Sequence, residues 1–193
     1  HPFPAAQEDA LAAYRWLLAQ GTDPAKLAIV GDSAGGGLAL ALLLMLRDAD
    51  EPLPATAVCL CPQVDLAFTS DSLVSNVDTD VLYLPSEKKS ARLYLAGADP
   101  KTPLASPLYA DLHGLPPLLI QVGGAEMLRD EGVRLAEKAG AAGVAVTLGI
   151  WPDMFHVWQA AWDYLPEARQ ALAHISEFLR RQSEQLRASQ VRC

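Results

Sequence analysis

Ser33, Glu126 and His156 are the residues whose types and order could carry nucleophilic chemistry. Ser33 stands in Gly31-Asp32-Ser33-Ala34-Gly35, a G-x-S-x-G motif. A short apolar run at 27–30 precedes it, long enough for a buried strand. Residues 38–46 follow, apolar on all sides, which predicts a helix buried on every face. Strand, tight turn and helix are the context in which this motif becomes an elbow presenting its serine. The turn forces Ser33 into a strained backbone, and the flanking glycines let strand and helix pass close together.

A serine hydroxyl is a poor nucleophile until a base removes its proton. An imidazole can both accept and donate a proton, so His156 can take that proton and return it to a leaving alcohol. A carboxylate fixes the imidazole tautomer and stabilises its cation. Glu126, just past Gly123-Gly124, is the first candidate for that role and Asp130 the second, although the helix starting near Asp130 carries it away from the strand end. Asp153 reads as a residue shaping the His156 loop, and Asp65 lies off the usual acid position. His1 and His113 fall in loops, and His174 reads as a solvated or capping residue of the last helix.

Strands near 27–30, 56–60, 118–122 and 144–150 must position these groups. Helices are expected at 4–20 (Leu11, Tyr14, Leu17 and Leu18 on one face), 38–46 and 130–142. A last helix at 166–187 should turn Leu172, Ile175 and Leu179 inward. Alternating strands and helices predict one α/β domain over 1–193 with a parallel sheet. All strand carboxyl ends of such a sheet lie on one edge, where Ser33, Glu126 and His156 can meet. Residues 68–112 are long, polar and broken by prolines; within them Ser86 should cap a helix at 86–95. An insertion of this kind reads as lid-like, against the plainer reading of a surface excursion.

A formal charge of −8 and no Lys/Arg cluster argue against a nucleic-acid partner. Half the residues are hydrophobic, which fits a globular chain. Three cysteines make no disulfide framework. Cys59 and Cys61, alternating on a strand, should share one face as buried thiols rather than hold a metal. No segment resembles a signal peptide, and the longest apolar run is too short to span a bilayer. The expectation is a soluble cytoplasmic protein without metal. The chain starts at His1-Pro2 without Met, so a missing beginning is expected.

The motifs resemble a family. Gly31-Asp-Ser-Ala-Gly-Gly-Gly37 is similar to the G-D-S-A-G-G block of the bacterial hormone-sensitive-lipase-like (family IV) esterases. Leu128-Arg-Asp-Glu-Gly132 resembles the end of their D-P-L-R-D-E-G block, and Met154-Phe-His-Val-Trp158 their histidine loop. His1-Pro-Phe-Pro-Ala-Ala6 and Leu104-Ala-Ser-Pro-Leu108 also look familial. The resemblance implies an α/β hydrolase fold, with helices on both faces of a mostly parallel sheet, and cofactor-free hydrolysis of short-acyl esters. Two departures stand out. Glu126-Met127 replaces the family's Asp-Pro, and the upstream H-G-G-G oxyanion loop with its strands is not in this chain. The assignable oxyanion donor is the backbone N–H of Ala34. Trp151, Phe155 and Trp158 are candidate walls of the substrate pocket. The resemblance also implies that the strand at 27–30 lacks a neighbour, hence a homo-oligomer or a companion N-terminal segment, and weak activity for this chain alone. The alternative reading is a catalytically weak or silent ligand-binding or interaction module on the same scaffold.

Overall fold

The computed structural model describes residues 1–190, with the side chains of 189 and 190 left aside. Cys193 therefore lies outside the described residues. Four parallel strands form one sheet in the order β1-β2-β3-β4: β1 Ala28–Asp32, β2 Thr56–Leu60, β3 Leu118–Gly123 and β4 Val146–Trp151. Every connection advances by one strand, so all four carboxyl ends share an edge.

Helix α1 (Ala5–Ala19) precedes β1, and α2 (Ala34–Asp48) leaves it through the elbow. Between β2 and β3 lie α3 (Ser72–Ser75) and α4 (Leu84–Leu95). Helix α5 (Arg129–Ala141) links β3 to β4, and α6 (Pro166–Gln190) closes the chain. The main core joins Leu40, Leu43 and Leu44 of α2 and Leu135 and Ala139 of α5 to Cys59, Leu118 and Ile120. On the opposite face, Ile175 and Phe178 of α6 cover Val58, Leu60 and Leu119. Tyr14 of α1 packs on Leu42 and Leu46, which buries the outer side of α2 as its all-round apolar sequence requires.

Residues of β2 and β3 are buried throughout, because both strands are central and covered on two faces. β1 departs from the buried strand expected at 27–30. Its residues alternate between exposed and half-buried, and Val30 is 54% exposed. The reason is its place. β1 pairs with β2 alone, and Val30 stands in register with Val58 on the face that α6 covers one strand further in.

Three other expectations change. Ser86 does not cap α4, which begins two residues earlier after Tyr83, with Pro85 in its first turn, where a fixed φ suits a helix. On α6 the buried stripe is Ala168, Ala171, Ile175 and Phe178; Leu172, one residue and about 100° round from Ala171, is exposed. His174 is half-buried, its Nδ1 3.4 Å from Gln121 Nε2. Among the described residues no helix is long and apolar enough to cross a membrane.

Candidate active site

The elbow is built by close backbone approach. Ser33 adopts φ 52° and ψ −123°, a conformation that non-glycine residues rarely hold. Its N–H donates to Leu60 O (2.8 Å), and its carbonyl accepts from Gln63 N–H (3.0 Å) and Gly36 N–H (3.0 Å). A Cβ at Gly31 would collide with the carbonyl of Gly35, whereas a Cβ at Gly35 would meet nothing within 4 Å. Of the two motif glycines, only Gly31 is demanded by space.

The loops after β3 and β4 run side by side. Gly124 N–H donates to Trp151 O (2.7 Å) and Ala125 N–H to Met154 O (3.0 Å). Glu126 follows, fully buried, with Oε1 accepting from Gly123 N–H at 2.8 Å. Its Oε2 lies 2.7 Å from His156 Nδ1, and His156 Nε2 lies 2.9 Å from Ser33 Oγ. With the proton on Nδ1 donated to Glu126, Nε2 is free to accept the Ser33 hydroxyl proton. The arrangement can therefore move a proton off Ser33 while a carboxylate faces the developing imidazolium. Ala34 begins α2, exposed beside Ser33, and among the described residues no acceptor takes its N–H.

The alternative acid, Asp130, is not brought to His156. Its Oδ2 accepts from Ser72 N–H (2.9 Å) and its Oδ1 from Arg129 Nε (2.8 Å). Although burial pushes its carboxyl up, these bonds and the Arg129 charge hold it below the usual range. Asp153 is exposed. Asp65 is fully buried and engaged by Ala67 N–H, Thr69 and Tyr109.

Cys61 corrects an expectation. Cys59 points into the α2 and α5 core, but Cys61 lies past the end of β2 at φ 47° and joins the cluster around Trp158 and Ala171. Its Sγ accepts from Val157 N–H at 3.3 Å. Donor atoms of Cys61, Glu126 and His156 lie within 4.8 Å of one another, a set with metal-ligand types. Both His156 nitrogens are already engaged by Glu126 and Ser33, and burial together with the Glu126 charge pushes the Cys61 thiol far up. The raised thiol favours its neutral form, which is a weaker ligand than a thiolate.

A cavity of about 300 Å³ opens beside Ala34. It lies between the start of α2 and α4, and Gln7, Leu66, Ala91, Tyr94 and Leu104 are among its lining residues. None of Trp151, Phe155 and Trp158 lines it. Trp158 is fully buried against Cys61, Ala168 and Ala171, with Trp151 and Phe155 packed on that cluster. An aromatic run beside the histidine suggested walls, but the chain turns those rings back under the loop.

A family model described as the alpha/beta hydrolase fold matches residues 1–160. An acetyl-hydrolase of Streptomyces hygroscopicus is 51% identical over 180 residues, which is 93% of this chain and 60% of that protein. The crystal structure of an esterase from the bacterial hormone-sensitive lipase family superposes with a TM-score of 0.93 at 54% identity, covering 95% of this chain and 62% of that one. A crystal structure of EstE5 soaked with p-nitrophenyl butyrate gives 0.93 at 51%, with the same coverage. The chain thus spans about 60% of the length of these relatives.

One residue that supports the site escaped the reading of the sequence. Glu131, fully buried on α5, accepts Val64 N–H (2.7 Å) and Asp65 N–H (2.9 Å) with Oε2, while Oε1 has no partner among the described residues. It thereby holds the loop whose Gln63 N–H reaches Ser33 O. Its spacing with Leu135 and Ala139 marked the inward stripe of α5. Burial raises its carboxyl from 4.5 to about 8. Between those values the folded chain keeps a proton that the unfolded chain has released. The resulting stability is complete below 4.5 and is lost as pH rises through about 8. Glu131→Gln removes this titration while keeping an acceptor. Urea unfolding across that window should show a flatter fall of stability with rising pH than in the wild type; an unchanged slope would contradict the assignment.

Proposed function

The chain belongs to the α/β hydrolase fold family, and from that premise we propose that it hydrolyses short-acyl carboxylic esters through an acyl-enzyme. The observation that carries the proposal is the unbroken run of hydrogen bonds from Ser33 Oγ through His156 to the buried Glu126. In the proposed reaction His156 Nε2 takes the Ser33 proton as Oγ attacks the ester carbonyl. The new oxyanion accepts the Ala34 N–H. His156 returns the proton to the leaving alcohol, and the acyl group remains on Ser33. Water then attacks by the same route, giving the acid and the free serine. No cofactor enters any step.

The 300 Å³ cavity suits a short acyl chain, and its wall from α4 gives the insertion at 68–112 its lid-like role. The butyrate ester named with EstE5 and the acetyl-hydrolase of Streptomyces hygroscopicus support that size class. A cytoplasmic location belongs to the same reading, in which the buried Cys59 and Cys61 stay as thiols.

The reading extends to a partner for β1. Its outer edge carries no strand among the described residues, and Ala28, Val30 and Asp32 are exposed. Such an edge pairs readily with another chain, whether a second copy or a companion segment.

Two tests follow from the chemistry and from the edge. Ser33→Ala and His156→Ala should lower kcat on p-nitrophenyl butyrate by similar factors, on the order of 10³ or more, because such residues act as a unit. Glu126→Ala should cause a smaller but large loss, and Asp130→Ala should leave kcat within a few-fold of the wild type. Loss of activity in Asp130→Ala alone would transfer the acid role. In sedimentation velocity the wild type should associate with rising concentration, and Val30→Lys should shift it towards the monomer. A wild type that stays monomeric throughout would remove self-pairing.

A further inference from the structure

The insertion does more than wall the cavity. Its first part, residues 72–80, grips the loop that carries Glu126. Ser72 Oγ donates to Met127 O (2.6 Å) and Thr79 Oγ1 to Ala125 O (2.9 Å). Asn76 Nδ2 donates to Gly124 O (3.1 Å) and Glu126 O (2.9 Å). All of these bonds reach one loop. Asp80 is different: its Oδ2 accepts Met127 N–H at 2.7 Å, and its Oδ1 accepts His156 N–H at 2.8 Å. Oδ1 also takes Val81 N–H (2.8 Å), which fixes the carboxylate against its own backbone.

We propose that Asp80 is a positioning residue that holds Glu126 and His156 in register for proton transfer, a role that rests on the esterase reading above. The two loops are tied by backbone bonds on the strand side, Gly124 to Trp151 and Ala125 to Met154. Those ties lie before Glu126 and before His156. One residue past Glu126 and at His156 itself, the link between the two loops passes through the Asp80 carboxylate. The acid and the base are thus bracketed, backbone to backbone on one side and carboxylate on the other.

The bracket has something to resist. Val157, directly after His156, is β-branched and sits at φ 55°, which such residues seldom adopt. His156 N–H is tied to Asp80 and Val157 N–H to Cys61 Sγ, so without the Asp80 acceptor the turn loses one of these two ties and the imidazole can move with it. Hydrogen bonds to an ionised carboxylate are stronger than those to a neutral oxygen, so an aspartate suits the position. Asp80 touches neither Ser33 nor the cavity wall, so its loss should act on chemistry rather than on substrate binding.

The test compares Asp80→Ala, Asp80→Asn, Thr79→Ala and Ser33→Ala with the wild type on p-nitrophenyl butyrate. Asp80→Ala should lose about 10–100-fold in kcat, the scale of a misplacement near 1 Å, with KM within about twofold. Asp80→Asn keeps one oxygen but turns an N–H₂ towards the other N–H, so its kcat should fall in between. Thr79→Ala, which removes a bond to one loop only, should keep kcat within about twofold. In proton NMR, the low-field Nδ1 proton shared with Glu126 should broaden in Asp80→Ala and stay sharp in Thr79→Ala. Equal kcat in Asp80→Ala and Thr79→Ala, or an unchanged Nδ1 proton, would overturn the inference. If Asp80→Ala does not fold, the isosteric Asp80→Asn decides by the same split of kcat against KM. If Ser33→Ala hydrolyses like the wild type, the esterase reading itself falls, whatever Asp80 does.

Discussion

A carboxylate with no contact with solvent must find all its hydrogen bonds inside the protein or give up its charge. Glu126 is such a group, and the site is arranged around satisfying it. Gly123 N–H takes one oxygen and His156 Nδ1 the other. The second bond orients the imidazole, and the orientation leaves Nε2 against Ser33 Oγ. Each link depends on a different strand end, so the pairing of β1 to β4 is as much a part of the site as the three side chains.

Parallel strands bring those ends together, but they do not set side chains to a few tenths of an ångström. That finer placement comes from bonds to loop backbone. Leu60 O and Gln63 N–H hold the serine turn, and Glu131 holds the loop that carries Gln63. Asp80 closes the other side. The polar insertion after β2 therefore contributes to geometry at a distance from its own helices.

Much of this was legible in the residues themselves. Short apolar runs ended by Gly or Pro stand at β2 and β3, because a buried parallel strand must be apolar and must stop where the chain turns. Position after a strand, not residue type, separated Glu126 from Asp130, and the structure places Glu126 against His156. What stayed hidden depends on neighbours. Nothing local in 27–30 says that α6 stops short of Val30. Strict alternation put Cys61 beside Cys59, but β2 ends at Leu60 and the chain then enters a left-handed turn. Trp158 looked like a wall because it is near His156 in sequence, yet it packs under the loop against α6. Asp80 and Glu131 act across 47 or more residues of sequence, so no local pattern marks their partners.

The central claim is that Ser33 is a nucleophile made reactive by His156. Labelling with a fluorophosphonate, followed by mass-spectrometric mapping of the adduct, tests it most directly. The account predicts a single adduct on Ser33 in the wild type and a steep fall in labelling rate in His156→Ala. An adduct on another residue, or equal labelling with and without His156, would contradict it.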